Sequence, residues 1–196
     1  MKLGYSPNSP YVRKVMICAI LRGLEPRIER FTERGAALLR HNPLSKVPTL
    51  VLDDGTALFD SPVICEYLDS IGDAPKLFPD DVKARWTALR RQALGDGIMD
   101  ASQPRRREVA LPQDQGRQDY IMAQQAKVEA AIDLLESEAD SLKDLATIGE
   151  ITIGCALGYL DFRFPHEPWR PDHPKLEAWY ARVSAMPALA VTAPTG

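Results

Sequence analysis

The chain is poor in the residues that build metal centres and covalent frames, with three cysteines and three histidines among 196 residues. Cys18, Cys65 and Cys155 are odd in number, far apart and set in apolar helical patterns. That predicts reduced core thiols and speaks against a disulfide framework. There is no Cys-x-x-Cys, and His41, His166 and His173 have no thiol or carboxylate at metal-ligand spacing, so no metal is expected. A strong charge of either sign is also missing. Against 24 Lys+Arg stand 27 Asp+Glu, and the net charge of -3 gives no electrostatic reason for nucleic acid or an anionic membrane as partner. The one basic cluster, Arg105-Arg106-Arg107, is followed by Glu108 and reads as a solvated helix end. The longest apolar stretch, around Leu145 to Leu160, is broken by Glu150 and falls short of the roughly 20 apolar residues of a membrane span. Residues 1–15 lack the basic start, apolar run and cleavage site of a secretory signal, so the expected location is the cytoplasm.

What is present is a change of pattern along the chain. Lys2-Leu3-Gly4-Tyr5 reads as a short strand. Ser9-Pro10 followed by Val12, Val15, Met16, Ala19 and Ile20 is an N-cap, a first-turn proline and an apolar stripe closed by Gly23, predicting a helix over about 10–22. Arg27 to Phe31 alternates as a half-buried strand does. After a helical patch near Ala36 to Arg40, Val47 to Leu52 and Ala57 to Phe59 flank Asp53-Asp54-Gly55, an acidic Asp-Gly turn expected to close a hairpin. Asp60-Ser61 before Pro62 reads as a helix N-cap and opens another helix, with Ile64, Tyr67, Leu68 and Ile71 on one face. The order is βαβαββα.

Asp73 to Asp81 carries two prolines and no sustained period, and reads as a linker. Beyond it the pattern is helical throughout, and Ile148 to Phe162 is apolar nearly all round, as a buried central helix must be. The predicted architecture is α+β, with a domain over residues 1–75, a linker over 76–82 and an all-helical domain over 83–196.

Four motifs in this order carry a resemblance: Ser9-Pro10-Tyr11-Val12-Arg13-Lys14 after the first strand, Asn42-Pro43-Leu44-Ser45-Lys46-Val47-Pro48, Asp60-Ser61 opening the third helix, and Thr147-Ile148-Gly149-Glu150 in the helical region. With their spacing they resemble the glutathione transferase superfamily over essentially the whole length. The resemblance implies a thioredoxin-like domain that binds glutathione as co-substrate, followed by a helical domain. It also implies a small electrophilic substrate and a homodimer.

The same resemblance assigns roles. Val47-Pro48 is implied to be cis and to present the Val47 backbone to the cysteinyl part of glutathione as an added strand does. Asp60 and Ser61 are implied to hold the γ-glutamyl end, where the helix N-terminus favours an anion. Family members usually carry Glu or Gln at the position of Asp60. Lys46 matches a position that binds the glycyl carboxylate. Thr147-x-x-Glu150 is a capping box by its own chemistry and starts the core helix. Trp179, Arg182, Pro187 and Ala188 resemble packing residues at the end of the helical domain.

The family's chemistry is attack by the glutathione thiolate on an electrophile. A free thiol of pKa about 8.5 is only a few per cent ionised at neutral pH, and one hydroxyl donor at a helix N-terminus helps to lower it. Ser9 matches the serine of the plant-type and theta-like members and is the expected catalytic residue. Ser6 and Tyr5 are the alternatives. Tyr11 and Arg13, just beyond, are placed to meet the electrophile. The second reading is a glutathione-binding protein with little transferase activity.

Overall fold

The computed structural model describes residues 1–195. Leu3 is fully buried and its neighbour Lys2 exposed, the alternation of a half-buried strand, and β1 spans Lys2–Gly4. Ser9 caps α1 (Pro10–Leu21), where Pro10 supplies a fixed φ at a position whose N–H has no helical partner. Gly23 ends it at φ +67, and Leu24 N–H returns to Ala19 C=O at 2.7 Å. A side chain resists that left-handed turn, which is why glycine stands there. Then come β2 (Glu29–Phe31), α2 (Ala36–Leu39), β3 (Thr49–Val51), β4 (Ala57–Leu58) and α3 (Ser61–Ser70). This is the βαβαββα order that the sequence predicts.

The four strands are arranged β2-β1-β3-β4. β1 runs parallel to β2, while β3 is antiparallel to both β1 and β4, with Gly4 opposite Thr49 and Leu50 opposite Leu58. The third strand is shorter than its apolar run because Pro48, lacking an N–H, cannot extend the ladder. In the turn, Gly55 takes φ +88 and the Asp54 carboxylate accepts from Thr56 N–H at 2.8 Å, so the Asp-Gly turn closes the hairpin as expected.

The chain forms two compact units, residues 1–85 together with those from 187 onward, and residues 86–186. The core of the first is Leu3, Val15, Ile17, Leu50, Ile64 and Leu68, all fully buried. The segment 73–81 is fastened to this unit. Buried Arg22 donates to Pro75 C=O at 2.7 Å and to Gly72 C=O at 2.7 Å, and the Asp69 carboxylate accepts from Leu77 N–H at 2.7 Å. Leu77 and Phe78 are thereby buried in a stretch whose prolines alone suggest a loose connection.

Among the described residues no strand occurs beyond Leu58. The helices that follow are α4 (Val82–Val109), α5 (Gln115–Glu138), α6 (Ile148–Arg163) and α7 (Pro174–Ser184), with a short α8 (Pro187–Ala190) in the first unit. Every residue from Ile148 to Leu160 is buried, as an apolar helix without a polar face requires. Its N-terminus carries the predicted capping box, Thr147 Oγ1 accepting from Gly149 N–H at 3.2 Å and Glu150 accepting from Thr147 N–H at 3.0 Å. Glu150 also takes a bond from buried Arg91 at 3.0 Å, which pairs the two charges in the core. Trp179 is buried and its indole N–H donates to Lys143 C=O at 3.1 Å, whereas Arg182 is exposed and pairs with Asp144 at 2.8 Å.

One expectation is corrected. Arg105 does not belong to a solvated helix end: it is buried, lies 4.6 Å over the Phe164 ring and bonds to Glu167 and Gln125. Only Arg106 and Arg107 of the cluster are exposed. A run of like charges does not show which member a neighbouring ring and carboxylate will take up.

Close approach of α6 to α4 depends on glycine. A Cβ on Gly149 would lie 2.7 Å from the Arg91 Cβ and 2.9 Å from the Ala88 carbonyl oxygen. Gly149→Ala therefore forces the helices apart, and a loss of about 1–3 kcal/mol is expected from overpacking. Urea denaturation followed by circular dichroism measures it; a midpoint equal to that of the parent chain refutes the contact.

Candidate functional site

Strand directions bring three chemistry-bearing segments to one end of the sheet. β1 ends at Gly4, opposite the start of β3 at Thr49, and β4 ends at Leu58, opposite Leu50. The loop that leaves β1 toward Ser9, the loop that enters β3 through Val47-Pro48, and the loop that leaves β4 toward Asp60-Ser61 consequently converge. All three lie in the first unit.

Ser9 is half-buried at the head of α1, and its Oγ accepts from Val12 N–H at 3.3 Å. Capping and thiol activation are not exclusive here. The cap uses an oxygen lone pair, whereas activation uses the hydroxyl hydrogen, and a serine has both. Ser6 and Tyr5 are also half-buried. The Ser6 carbonyl accepts from Ser9 N–H at 3.2 Å, and the Tyr5 ring lies under Arg30 at 5.0 Å.

The Val47-Pro48 peptide bond is cis, as the sequence motif implies, and so is Phe59-Asp60. The loop before Pro48 is organised by Asn42, whose role the sequence reading missed. Asn42 is buried; its Nδ2 donates to Lys46 C=O at 3.1 Å and to Thr49 Oγ1 at 2.9 Å, and its Oδ1 accepts from Leu44 N–H at 2.9 Å. Thr49 Oγ1 adds a donation to Lys46 C=O at 2.8 Å. One amide thus ties the start, middle and end of the turn, and Ser45 within it adopts φ +50, where glycine is preferred. Lys46 is exposed, Val47 half-buried and Pro48 buried, so the loop presents Lys46 and the edge of Val47 to solvent.

At the head of α3 the two predicted residues divide their tasks. Asp60 occupies the N-cap position, but its side chain makes no cap bond, contrary to the simplest reading of the Asp-Ser-Pro pattern; it is exposed. Ser61 is buried at the first helical position. The first-turn N–H groups of an α-helix lack partners within the helix, and they carry its positive dipole end.

Beside α1 lies an open groove of about 410 Å³, lined by Tyr5, Ser6, Val12, Arg13, Met16 and Ile20 on one side and by Arg30, Pro187, Val191 and Thr192 among others on the rest. Arg13 is buried. Its Nη2 donates to Leu189 C=O at 2.9 Å and its Nε to Thr192 Oγ1 at 3.4 Å, which ties α8 to α1. Tyr11, half-buried at the second position of α1, does not line the groove. Among the described residues no cluster of His, Cys, Asp or Glu suited to a metal occurs, and the three cysteines are buried and form no disulfide.

Comparison with known proteins gives a consistent picture. Residues 8–71 match the family model of the glutathione S-transferase N-terminal domain, and residues 80–182 that of the glutathione S-transferase C-terminal domain. The chain is 34% identical over 201 residues to an uncharacterized GST-like protein of Escherichia coli K12, YibF, covering 99% of this chain and 98% of that one. A glutathione transferase family member of Pseudomonas fluorescens Pf-5, solved with bound glutathione, is 41% identical with a TM-score of 0.92, covering 100% of this chain and 99% of its own. The same protein has been solved with bound S-(propanoic acid)-glutathione. A glutathione S-transferase of Methylobacillus flagellatus KT with glutathione bound is 34% identical at a TM-score of 0.89, covering 99% of both chains.

The loop geometry is testable without a ligand. Asn42→Ala leaves Leu44 N–H without its partner and the Lys46 carbonyl with only the Thr49 hydroxyl, and is expected to cost about 1–3 kcal/mol, whereas Ser9→Ala removes a single cap and should cost about 1 kcal/mol. Urea midpoints of both variants check the order; an Asn42→Ala chain as stable as its parent refutes the role given to the amide.

Proposed function

This chain belongs to the glutathione S-transferase family, and from that premise we propose that it binds glutathione at the converging end of its sheet and activates the thiol at Ser9. The observation that carries the reading is the convergence itself: a hydroxyl at the head of α1, a cis-proline loop and the head of α3 stand at one end of a four-stranded sheet. The glutathione bound in the Pseudomonas and Methylobacillus relatives supports the choice of ligand.

In this reading the tripeptide lies across the end of the sheet. Its cysteinyl backbone pairs with the N–H and C=O of Val47, in the loop that enters β3. Its γ-glutamyl carboxylate meets the first-turn N–H groups of α3 and the Ser61 hydroxyl, while Asp60, unused by its own helix, accepts from the ammonium. Lys46 faces the glycyl carboxylate. The sulfur then lies at the head of α1. There the Ser9 O–H donates to it and the helix dipole favours the thiolate over the thiol.

The reaction is attack of that thiolate on a small electrophile, so that a sulfur–carbon bond forms as the leaving group departs. Tyr11 and Arg13, within the first turn of α1, are the residues proposed to meet the electrophile. The S-(propanoic acid)-glutathione held by the Pseudomonas relative supports a site that admits a substituent on the sulfur. The family's reaction uses glutathione as co-substrate and needs no metal.

A homodimer in the cytoplasm completes the proposal. Trp86 on α4 is 65% exposed, apolar surface that a second copy of the chain would cover. Three cysteines that form no disulfide among the described residues suit a reducing compartment, and among those residues no helix is long and apolar enough to cross a membrane.

Two measurements test the glutathione site. Ser61→Ala should raise the glutathione dissociation constant about tenfold, the worth of one charged hydrogen bond, with the fold intact. Titration calorimetry reads it, and an unchanged constant removes Ser61 from the site. Ser9→Ala should raise the pKa of the bound thiol, seen as a shift of thiolate absorbance to higher pH. Ser9→Cys should form a mixed disulfide with glutathione. If neither occurs, Ser9 is only a cap and the test moves to Ser6.

A further inference from the structure

The groove beside α1 continues from the point where the sulfur is placed. Ser9, Arg13, Met16 and Ile20 are spaced four, three and four residues apart, so they follow one another down a single face of the helix. Arg13, Met16 and Ile20 line the groove, together with Ser6 and Pro7, which flank Ser9 in the chain. The reacting hydroxyl therefore stands at the head of a stripe whose lower part is the groove floor.

The floor is apolar with a single fixed cation in it. Met16, Ile20 and the exposed Val191 supply the apolar surface. Arg13 is only 7% exposed, and its Nε and Nη2 are committed to Thr192 and Leu189. Those bonds fix the guanidinium plane. Neither bond uses Nη1, the remaining donor of a side chain that lines the groove. Arg30, the other cation of the groove, is already paired with Glu25 at 3.0 Å and stacked on Tyr5. The charge left over is positive and belongs to Arg13.

We propose that this groove receives the electrophile and selects one with a short apolar body ending in a carboxylate, the carboxylate pairing with Nη1 of Arg13 and the body lying on Met16, Ile20 and Val191. This rests on the activation of glutathione at Ser9. Arg13 follows Ser9 by about one helical turn, about 5.4 Å along the axis, a separation that a para-substituted benzene ring spans. A carboxylate in a largely apolar groove is costly to leave unpaired, so an acid gains from Arg13 what its ester cannot.

The test uses 4-(bromomethyl)benzoate and its methyl ester with the full-length protein and glutathione. In both, the thiolate sulfur forms a bond to the benzylic carbon as the carbon–bromine bond breaks, and bromide leaves with the bonding pair; the thiol proton has gone to solvent on ionisation. After division by the uncatalysed rates, kcat/KM should favour the acid about tenfold, with the difference in KM. Arg13→Met should abolish the preference and Arg13→Lys should restore part of it. Because Arg13 also holds α8, a second variant guards against misfolding: Ile20→Trp fills the groove and should slow both reactions while calorimetry shows glutathione still bound. A glutathione-binding chain that treats acid and ester alike, consumes neither, or keeps its preference in Arg13→Met overturns this inference alone. A chain that binds no glutathione overturns the glutathione reading and this one with it.

Discussion

The antiparallel pairing of β3 with β1 and with β4 is the interaction on which the rest of the first unit depends. Because β1 and β4 run one way and β3 the other, the ends of two strands and the start of a third meet at one edge. Everything proposed for glutathione lies in the loops at that edge. The strands are only two or three residues long, so backbone bonds alone hold them weakly; burial of Leu3 and Leu50 beneath α1 and α3 holds the register.

Polar side chains then fix the loops that the sheet brings together. Asn42 organises the approach to Pro48 with one amide, and Thr49 returns a bond from the first residue of the strand. Arg22 and Asp69 hold the segment after α3 in the same manner, each buried and each bonded to backbone groups. A buried polar group that lost such partners would cost far more than its bonds contribute in water, so these contacts confine the loops to one conformation. Arg13 extends the pattern to the C-terminal segment, where one guanidinium anchors α8 and faces the groove.

Much of this was legible in the residues. Ser9-Pro10 and Thr147-x-x-Glu150 announce helix starts by capping chemistry that acts within one turn, and both caps are present. The alternation around Asp53-Asp54-Gly55 gave the hairpin for the same reason, since its bonds are local. Asp60 shows the limit: its pattern predicts a side-chain cap, yet no such bond forms and the carboxylate is left exposed. Arg105 shows it again, drawn out of an apparent charge run by Phe164 and Glu167, about sixty positions away.

The sequence by itself determined the order of elements, the caps and turns that bound them and the motifs that mark the family, because each depends on residues a few positions apart. Only the tertiary structure decided that Asn42 would hold the cis-proline loop, that Arg22 and Asp69 would fasten the expected linker, and that residues 187–192 would return to α1 through Arg13. Those contacts join partners up to 179 positions apart. Which donors meet across such a span is set by the packing of whole elements, and no local pattern encodes it.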